Sequence, residues 1–143
     1  MKVYTDQDAN PAAVKAGPVA VIGYGSQGRA HALNLKNSGC DVIVGVREGG
    51  PSAEKAAADG FEVASPAKAA ANARLIAILT PDMTHEKIFK EDVEPQLKDG
   101  DALLFAHGFT VLYGRVSPPN NVDVIMVAPK GPGDLVRREY ERG

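Results

Sequence analysis

The chain has 143 residues, of which 44% are hydrophobic and 24% are charged, as in ordinary water-soluble globular domains. Its formal net charge of −2 gives no reason to expect nucleic acid or an anionic membrane as a partner. The one cysteine, Cys40, excludes an internal disulfide and is typical of a cytoplasmic protein.

The first seventeen residues predict a polar lead-in with one short helix. Asn10 is a suitable N-cap, and Pro11 fits the first helical position of a helix that reaches Val14. Because residues 1–17 contain no apolar core, we do not expect a signal peptide. No later apolar run approaches the length of a membrane span. The length as a whole predicts one domain, residues 1–143.

The strongest functional signal lies in residues 18–28. An apolar run, Val19–Ile22, is followed by Gly23, Gly25 and Gly28 in the spacing G-x-G-x-x-G, and a helical pattern then continues to about Asn37. In a dinucleotide site the first glycine allows the tight turn, the second lets a pyrophosphate approach the backbone, and the third lets the helix pack on the strand. The helix N-terminus favours phosphate. The alternative is a merely structural glycine turn.

Strand-like and helix-like segments then alternate along the chain. Further strands are predicted at residues 41–46, 61–63, 74–79, 102–105 and 122–127, and further helices at 52–59, 66–72, 84–90 and 133–142. Ser52 and Ser65 are the expected N-caps of two of these helices. Because parallel neighbours need crossover connections, this order predicts an α/β fold of the Rossmann type, a doubly wound and mainly parallel sheet flanked by helices.

The end of the second strand decides which dinucleotide binds. An NAD site usually has Asp or Glu there, about 20 residues past the glycines, to accept from the ribose 2′-hydroxyl. This chain has Arg47, whose guanidinium suits a 2′-phosphate, and Ser52 could add a hydroxyl. The carboxylate of Glu48 would repel a 2′-phosphate and could instead accept from the 2′-hydroxyl of a ribose without phosphate. The residues favour NADP(H), with NAD(H) and a merely solvated arginine as the alternatives.

Two later strand ends should also face the cofactor, because ligands of this fold bind outside the carboxyl ends of the strands. Asp82 follows the fourth strand and either lines the site or caps the next helix, while His85 is interpreted as a solvated residue of the first turn. His107 follows the fifth strand, where a nicotinamide would lie, and histidine can move a proton near neutral pH. The alternative for His107 is a structural role. His31 is assigned to packing or to the surface.

The loop after the sixth strand contains two prolines and two glycines in residues 128–133. Lys130 adds a cation there, and the loop either contacts substrate or cofactor or only terminates the strand. The charged residues 137–142 predict a solvated helical face with i,i+3 and i,i+4 ion pairs. The three histidines and Cys40 lack the spacing of metal ligands, so no metal site is expected in this chain.

Taken together, the motifs resemble the ketol-acid reductoisomerase (acetohydroxy-acid isomeroreductase) family. The matching stretches are Val21–Gly28 with His31–Leu35, Val44–Arg47, Phe105–Phe109, Val124–Gly133 and Arg137–Tyr140. The resemblance implies an enzyme of branched-chain amino-acid (isoleucine and valine) biosynthesis that migrates an alkyl group within a 2-acetohydroxy acid and reduces the product with NADPH. It implies cofactor contacts at Tyr24, Gly25, Ser26, Gln27, Arg47, Ser52, Asp82, Met83, Thr84, His85 and Gly133, besides Gly23 and Gly28. His107 would be the active-site histidine. Gly50 stands in the cofactor site where many members have a second phosphate-binding serine, which weakens the NADP assignment.

Family members continue into a helical, knotted domain that holds two magnesium ions. This chain stops at Gly143, so we expect it to be the cofactor-binding half, without that domain and its Mg²⁺ ligands, and inactive alone. The isomerisation needs metal ions as Lewis acids. The alternatives are a stand-alone nucleotide-binding or regulatory module, and an interaction subunit that assembles with a separate helical domain or with copies of itself.

Overall fold

The computed structural model describes residue 3 and residues 5–143; part of the predicted lead-in, residues 1, 2 and 4, therefore lies outside the described residues. The strands are β1 (Val19–Ile22), β2 (Val42–Gly45), β3 (Glu62–Ala64), β4 (Leu75–Ile78), β5 (Ala102–Phe105) and β6 (Asp123–Met126). The α-helices are α1 (Pro11–Lys15), α2 (Ser26–Asn37), α3 (Pro51–Ala58), α4 (Pro66–Ala71), α5 (Asp82–Ile88), α6 (Phe109–Leu112) and α7 (Gly133–Arg142).

The six strands form one parallel sheet in the order β3-β2-β1-β4-β5-β6. Val19 of β1 lies opposite Val42 of β2 on one side and Leu75 of β4 on the other. The chain therefore runs outward from β1 in one direction and then returns to add β4 on its other side. This reversal confirms the predicted Rossmann-type fold, and it marks the place where such sheets bind ligands.

Both faces of the central strands are buried, because alternate residues of each strand enter two separate cores. On one face Ala20 and Ile22 pack with α4 and with the segment after α5. On the other face Val19 and Val21 pack with α2 and α3. Every residue of β1 and β2 is buried, as their continuous apolar sequences predict for parallel strands.

Helix α7 returns along α2, and this packing corrects one prediction. The side chain of Arg137 is only 16% exposed and is not part of a solvated face. Its guanidinium donates to Asn34 Oδ1 at 2.9 Å and pairs with Glu141 at 2.9 Å. The charge pattern of α7 alone could not show which of its arginines meets α2.

Several helix boundaries differ from those predicted. Helix α3 begins at Pro51 after Gly50 and has no side-chain cap, so Ser52 is not its N-cap. Proline already has the backbone φ of a first helical residue, which explains the earlier start. Helix α5 begins at Asp82, two residues before the predicted start, and continues as a π-helical turn, Phe89–Val93. The short α6 was not predicted.

Two other expectations concern single side chains. Ser65 caps α4 as predicted, since its hydroxyl accepts from the backbone N–H of Lys68. Cys40 is buried just before β2, in the position predicted for a small apolar residue.

Strand β6 lies at the edge of the sheet, and its apolar residues remain partly exposed. None of the described helices is long and apolar enough to cross a membrane.

Candidate functional site

A groove with a volume of about 1060 Å³ runs along the carboxyl ends of β1, β2 and β4. We call it the dinucleotide-sized groove, for its volume. It lies at the topological switch point of the sheet, where the strand order reverses. The structure brings these predicted site residues to it: Gly23, Tyr24, Gly25, Arg47, Gly50, Ser52, Met83 and Thr84.

The three motif glycines meet three different steric conditions. Gly23 has a φ of +99°, and a Cβ there would lie 2.8 Å from Cγ2 of Thr80. A Cβ on Gly28 would overlap the carbonyl oxygen of Gly23. A Cβ on Gly25, in contrast, would meet nothing within 4 Å. The fold therefore requires the first and third glycines, while the second leaves open space that a ligand can approach.

Tyr24 turns its side chain away from the groove and into the core. The residue is 3% exposed, and its ring packs edge-on against Phe61 with the centroids 5.8 Å apart. Its hydroxyl donates to Asp59 Oδ2 at 2.8 Å, and Arg29 donates to the same carboxylate at 2.7 and 3.1 Å. Burial raises the pKa of the Tyr24 phenol, and the bond to Asp59 adds to this effect. The backbone of Tyr24 is thus the part available to a ligand.

The rim of the groove at the end of β2 is polar and open. Arg47, Glu48 and Ser52 are all exposed there. No ion pair among residues 3 and 5–143 involves Arg47, so its guanidinium is available to an anion. Lys87 also lines the groove, and sequence analysis missed it. Its place in α5, one turn after Met83, was the available signal, because residues i and i+4 share a helix face.

A smaller recess of about 290 Å³ lies beside the groove, at the ends of β4 and β5. We call it the histidine recess, because it is lined by His85 and His107 together with Gln27, Thr80 and Asp82. Two buried oxygens, Gln27 Oε1 and Thr80 Oγ1, have no hydrogen-bond partner within the described part of the chain. Since buried polar atoms are nearly always paired, these two acceptors suit a polar ligand group.

The two histidines of the recess differ in exposure. His107 is exposed, and its Nδ1 accepts from the backbone N–H of Phe109 at 3.2 Å. His85 is 3% exposed, so the interpretation of it as a solvated residue is wrong. Its ring lies 5.9 Å from the ring of Phe105, and both of its nitrogens have partners. It is buried because α6, which the sequence did not reveal, packs against α5.

The loop after β6 is fastened to the glycine turn. Gln27 donates to the carbonyl oxygen of Gly131 at 2.9 Å, and the N–H of Gly133 donates to Ser26 Oγ at 3.0 Å. A Cβ on Gly133 would overlap the backbone of Ser26. The side chains of Ser26 and Gln27 therefore hold this loop, and neither residue lines the groove.

Lys130 is exposed and lines a third cavity of about 600 Å³, which is mostly apolar. It lines neither the groove nor the histidine recess. His31 borders the same apolar cavity, and burial lowers the pKa of its imidazole. Across residues 3 and 5–143, no group of three or more His, Cys, Asp or Glu side chains could hold a metal ion.

Comparison with known proteins agrees with this geometry. Residues 13–143 match the family model described as "Acetohydroxy acid isomeroreductase, NADPH-binding domain". The chain is 60% identical over 125 residues to a ketol-acid reductoisomerase (NADP(+)) of Xylella fastidiosa strain 9a5c, which covers 87% of this chain and 36% of that protein. The corresponding enzyme of Xanthomonas campestris pv. campestris strain B100 is 58% identical over 87% of this chain and 38% of its own length. The chain thus spans little more than a third of these curated relatives.

The solved structures give the same result for the fold. The chain superposes along its whole length on 45% of an NADH-preferring ketol-acid reductoisomerase from an uncultured archean, with a TM-score of 0.92 and 44% identity. The 3-hydroxyisobutyrate dehydrogenase of Mycobacterium tuberculosis is 18% identical with a TM-score of 0.64, over 85% of this chain and 43% of its own, and shows the fold alone.

Proposed function

The chain belongs to the acetohydroxy acid isomeroreductase (ketol-acid reductoisomerase) family and contains its NADPH-binding domain, and from this premise we propose that it supplies the reducing half of that enzyme. In the proposed reaction an alkyl group migrates within a 2-acetohydroxy acid and the resulting keto acid is reduced with NADPH. The observation that supports this best is the open space over Gly25, beside a groove whose rim bears Arg47, an arginine without an ion pair within the described residues.

We assign the pyrophosphate of the dinucleotide to the turn between β1 and α2. The N–H groups at the start of α2 have no intrahelical acceptors, and the helix dipole favours negative charge there. The open space over Gly25 lets phosphate oxygens approach the backbone. Met83 and Thr84, at the start of α5, also line the groove and would contact the rest of the cofactor.

The rim at the end of β2 would read the ribose 2′ position. Arg47 and Ser52 are exposed there and offer a fork of N–H donors and a hydroxyl, while Lys87 adds a cation on the same groove. Glu48 and Gly50 act in the other direction, since one brings negative charge and the other lacks a hydroxyl. The relatives differ in the same property, because one is named for NADP(+) and another as NADH-preferring. We propose NADPH as the preferred cofactor, because Arg47 and Ser52 together offer donors to a 2′-phosphate at the rim, although the groove carries two carboxylates, Glu48 and Asp92, beside its two cations, Arg47 and Lys87.

We place the nicotinamide end of the cofactor at the histidine recess. The unpaired oxygens of Gln27 and Thr80 would accept from the NH₂ of a carboxamide. Bound NADPH would supply hydride to a substrate carbonyl carbon. Because Nδ1 of His107 accepts from Phe109, a neutral His107 ring has its proton on Nε2. That Nε2, on an exposed side chain, is the atom that could give a proton to a substrate oxygen or take one from it.

The remaining parts of the reaction lie outside what these residues can do. The described residues contain no group of three or more His, Cys, Asp or Glu side chains that could hold a metal ion. We propose that residues 1–143 act as one dinucleotide-binding domain and that a helical domain, in the same or another chain, supplies metal ligands and much of the substrate pocket. The buried free thiol of Cys40 is compatible with the cytoplasmic location that we propose.

Calorimetric titration of the 143-residue chain with NADPH and with NADH tests the proposal. We expect NADPH to bind more tightly, and Arg47→Ala to weaken NADPH at least tenfold while changing NADH less than threefold. The matched control is Arg138→Ala, an exposed arginine of α7 that does not line the groove. Failure of the unmodified chain to bind either dinucleotide would overturn the assignment of the groove. Equal loss of both cofactors in Arg47→Ala would contradict the role of Arg47 in reading the 2′-phosphate.

A further inference from the structure

His85 is a buried polar side chain to which the proposed function assigns no step. It belongs to the first turns of α5 and is 3% exposed, between the end of β4 and the start of α6. Its Nε2 lies 2.8 Å from the carbonyl oxygen of Thr80, and its Nδ1 lies 3.2 Å from Oγ1 of Thr110. Thr110 is completely buried as well. The imidazole therefore joins two segments that are distant in sequence.

The chemistry of these two partners selects one form of the ring. A backbone carbonyl oxygen can only accept, so Nε2 of His85 must hold a proton and donate it to Thr80. In the neutral ring Nδ1 is then an acceptor, and the hydroxyl of Thr110 can donate to it. Both ring nitrogens and the threonine hydroxyl are thereby satisfied. The nearest carboxylate oxygen, Oδ1 of Asp82, lies 4.0 Å from Nε2, which is beyond hydrogen-bond distance, and its side chain is 45% exposed.

The two partners of His85 belong to different parts of the site. Thr80 lines both the dinucleotide-sized groove and the histidine recess. Thr110 lies in α6, and the N–H of the preceding residue, Phe109, is the donor that orients the His107 ring. The carbonyl oxygen of Thr110 also accepts from the backbone N–H groups that follow α6, at 2.9 and 3.1 Å. A displacement of Thr110 would consequently move the segment that presents His107.

We propose that His85 is a positioning residue, which, as its neutral Nε2–H tautomer, braces Thr80 against Thr110 and so holds His107 in place beside the nicotinamide end of the groove. This role rests on the proposed function only in assigning a nicotinamide to the histidine recess. The brace itself follows from the contacts of His85.

Three variants separate the brace from simple packing. Thr110→Val keeps the shape of the side chain and removes the hydroxyl donor. His85→Leu removes both ring nitrogens, while His85→Gln replaces them with an amide NH₂ donor and an amide oxygen acceptor at similar spacing. His31→Leu is the matched control, because His31 borders neither the groove nor the histidine recess.

The first readout is the ¹⁵N NMR spectrum of the imidazole nitrogens in the labelled 143-residue chain. We expect His85 to be the Nε2–H tautomer, and an Nδ1–H tautomer, a rapidly exchanging mixture or a doubly protonated ring would overturn the proposal. We also expect the His107 ring and the Gly108 amide to shift in Thr110→Val and His85→Leu and to return towards their original positions in His85→Gln. No shift in any variant would overturn it too.

The second readout compares NADPH with adenosine 2′,5′-bisphosphate, which lacks the nicotinamide half. We expect Thr110→Val and His85→Leu to weaken NADPH about five- to tenfold, to leave the bisphosphate within about twofold, and His85→Gln to restore NADPH binding. An equal loss of both ligands would indicate general loss of structure and would contradict a positioning role. If the unmodified chain binds no dinucleotide, the proposed function fails, and the NMR shifts alone then decide whether the brace exists. Thr110→Val keeps this test available if His85→Leu does not fold.

Discussion

Tyr24 lies between two glycines of the motif, and replacing it with phenylalanine tests whether its side chain serves the fold or the ligand. The change removes one hydroxyl, which donates to Asp59 Oδ2 at 2.8 Å. Phenylalanine keeps the volume and the edge-on contact with Phe61, so no cavity forms. Hydrogen bonds to charged groups contribute about 1.5–3 kcal/mol. The Asp59 side chain is 21% exposed and keeps two bonds from Arg29, so water and arginine offset part of that loss. We therefore expect the free energy of unfolding to fall by about 1 kcal/mol.

Urea unfolding of the two proteins measures this change. With a slope of about 1–3 kcal/mol per molar, a loss of this size moves the midpoint by roughly 0.5 M. We expect NADPH affinity to stay within about twofold, because the Tyr24 side chain is turned away from the groove. Tyr140→Phe is the matched control: its residue is 39% exposed, its hydroxyl contacts Ser38 at 2.7 Å, and its removal should cost less than about 0.5 kcal/mol. A tenfold loss of NADPH affinity in Tyr24→Phe without loss of stability would refute this reasoning.

Three further substitutions test the glycine turn and the carboxylate that anchors it. In Gly25→Ala the added methyl group would lie in open space, so we expect the urea midpoint to stay nearly unchanged. We expect NADPH affinity to fall at least tenfold, because the methyl group would occupy the space assigned to the pyrophosphate. Unchanged affinity would remove the steric argument for a pyrophosphate at this position. Gly28→Ala would drive a methyl group into the carbonyl oxygen of Gly23, and we expect a loss of about 3 kcal/mol or more in unfolding free energy, measured in the same way. Asp59→Asn tests pH dependence: the hydrogen bond from Arg29, more than any other contact, holds the pKa of Asp59 below its ordinary value, so its contribution to stability is present above about pH 4 and is lost as the pH falls through the folded-state pKa. The stability of the unmodified chain should therefore decline more steeply below pH 4 than that of Asp59→Asn, and parallel acid-unfolding curves would contradict this.

Local chemistry in the sequence was sufficient for the framework of the site. The glycine spacing indicated a phosphate-binding turn because it follows the strand-like run Val19–Ile22 and opens a helical pattern, and the observed β1 and α2 have the predicted limits. Pro66 after Ser65 predicted the start of α4 for the same kind of reason, since a cap and a proline both act within a few residues. The repeated alternation of strand and helix, which the sequence showed everywhere except between the fifth and sixth strands, then led to the parallel sheet, because parallel neighbours cannot be joined by tight turns.

These local signals could not predict contacts between segments that are distant in the chain. The sequence determined where the glycine turn, the rim at Arg47 and the strand-end histidine lie in the chain, because propensity, capping and strand order act locally or through topology. Only the tertiary structure decided which side chains face a ligand. It turned Tyr24 into the core, fastened Ser26 and Gln27 to the loop after β6, and buried His85 under α6. Each of these outcomes depends on a partner from 25 to 107 residues away in the chain, and the direction of a side chain is chosen by that partner's position rather than by its own neighbours.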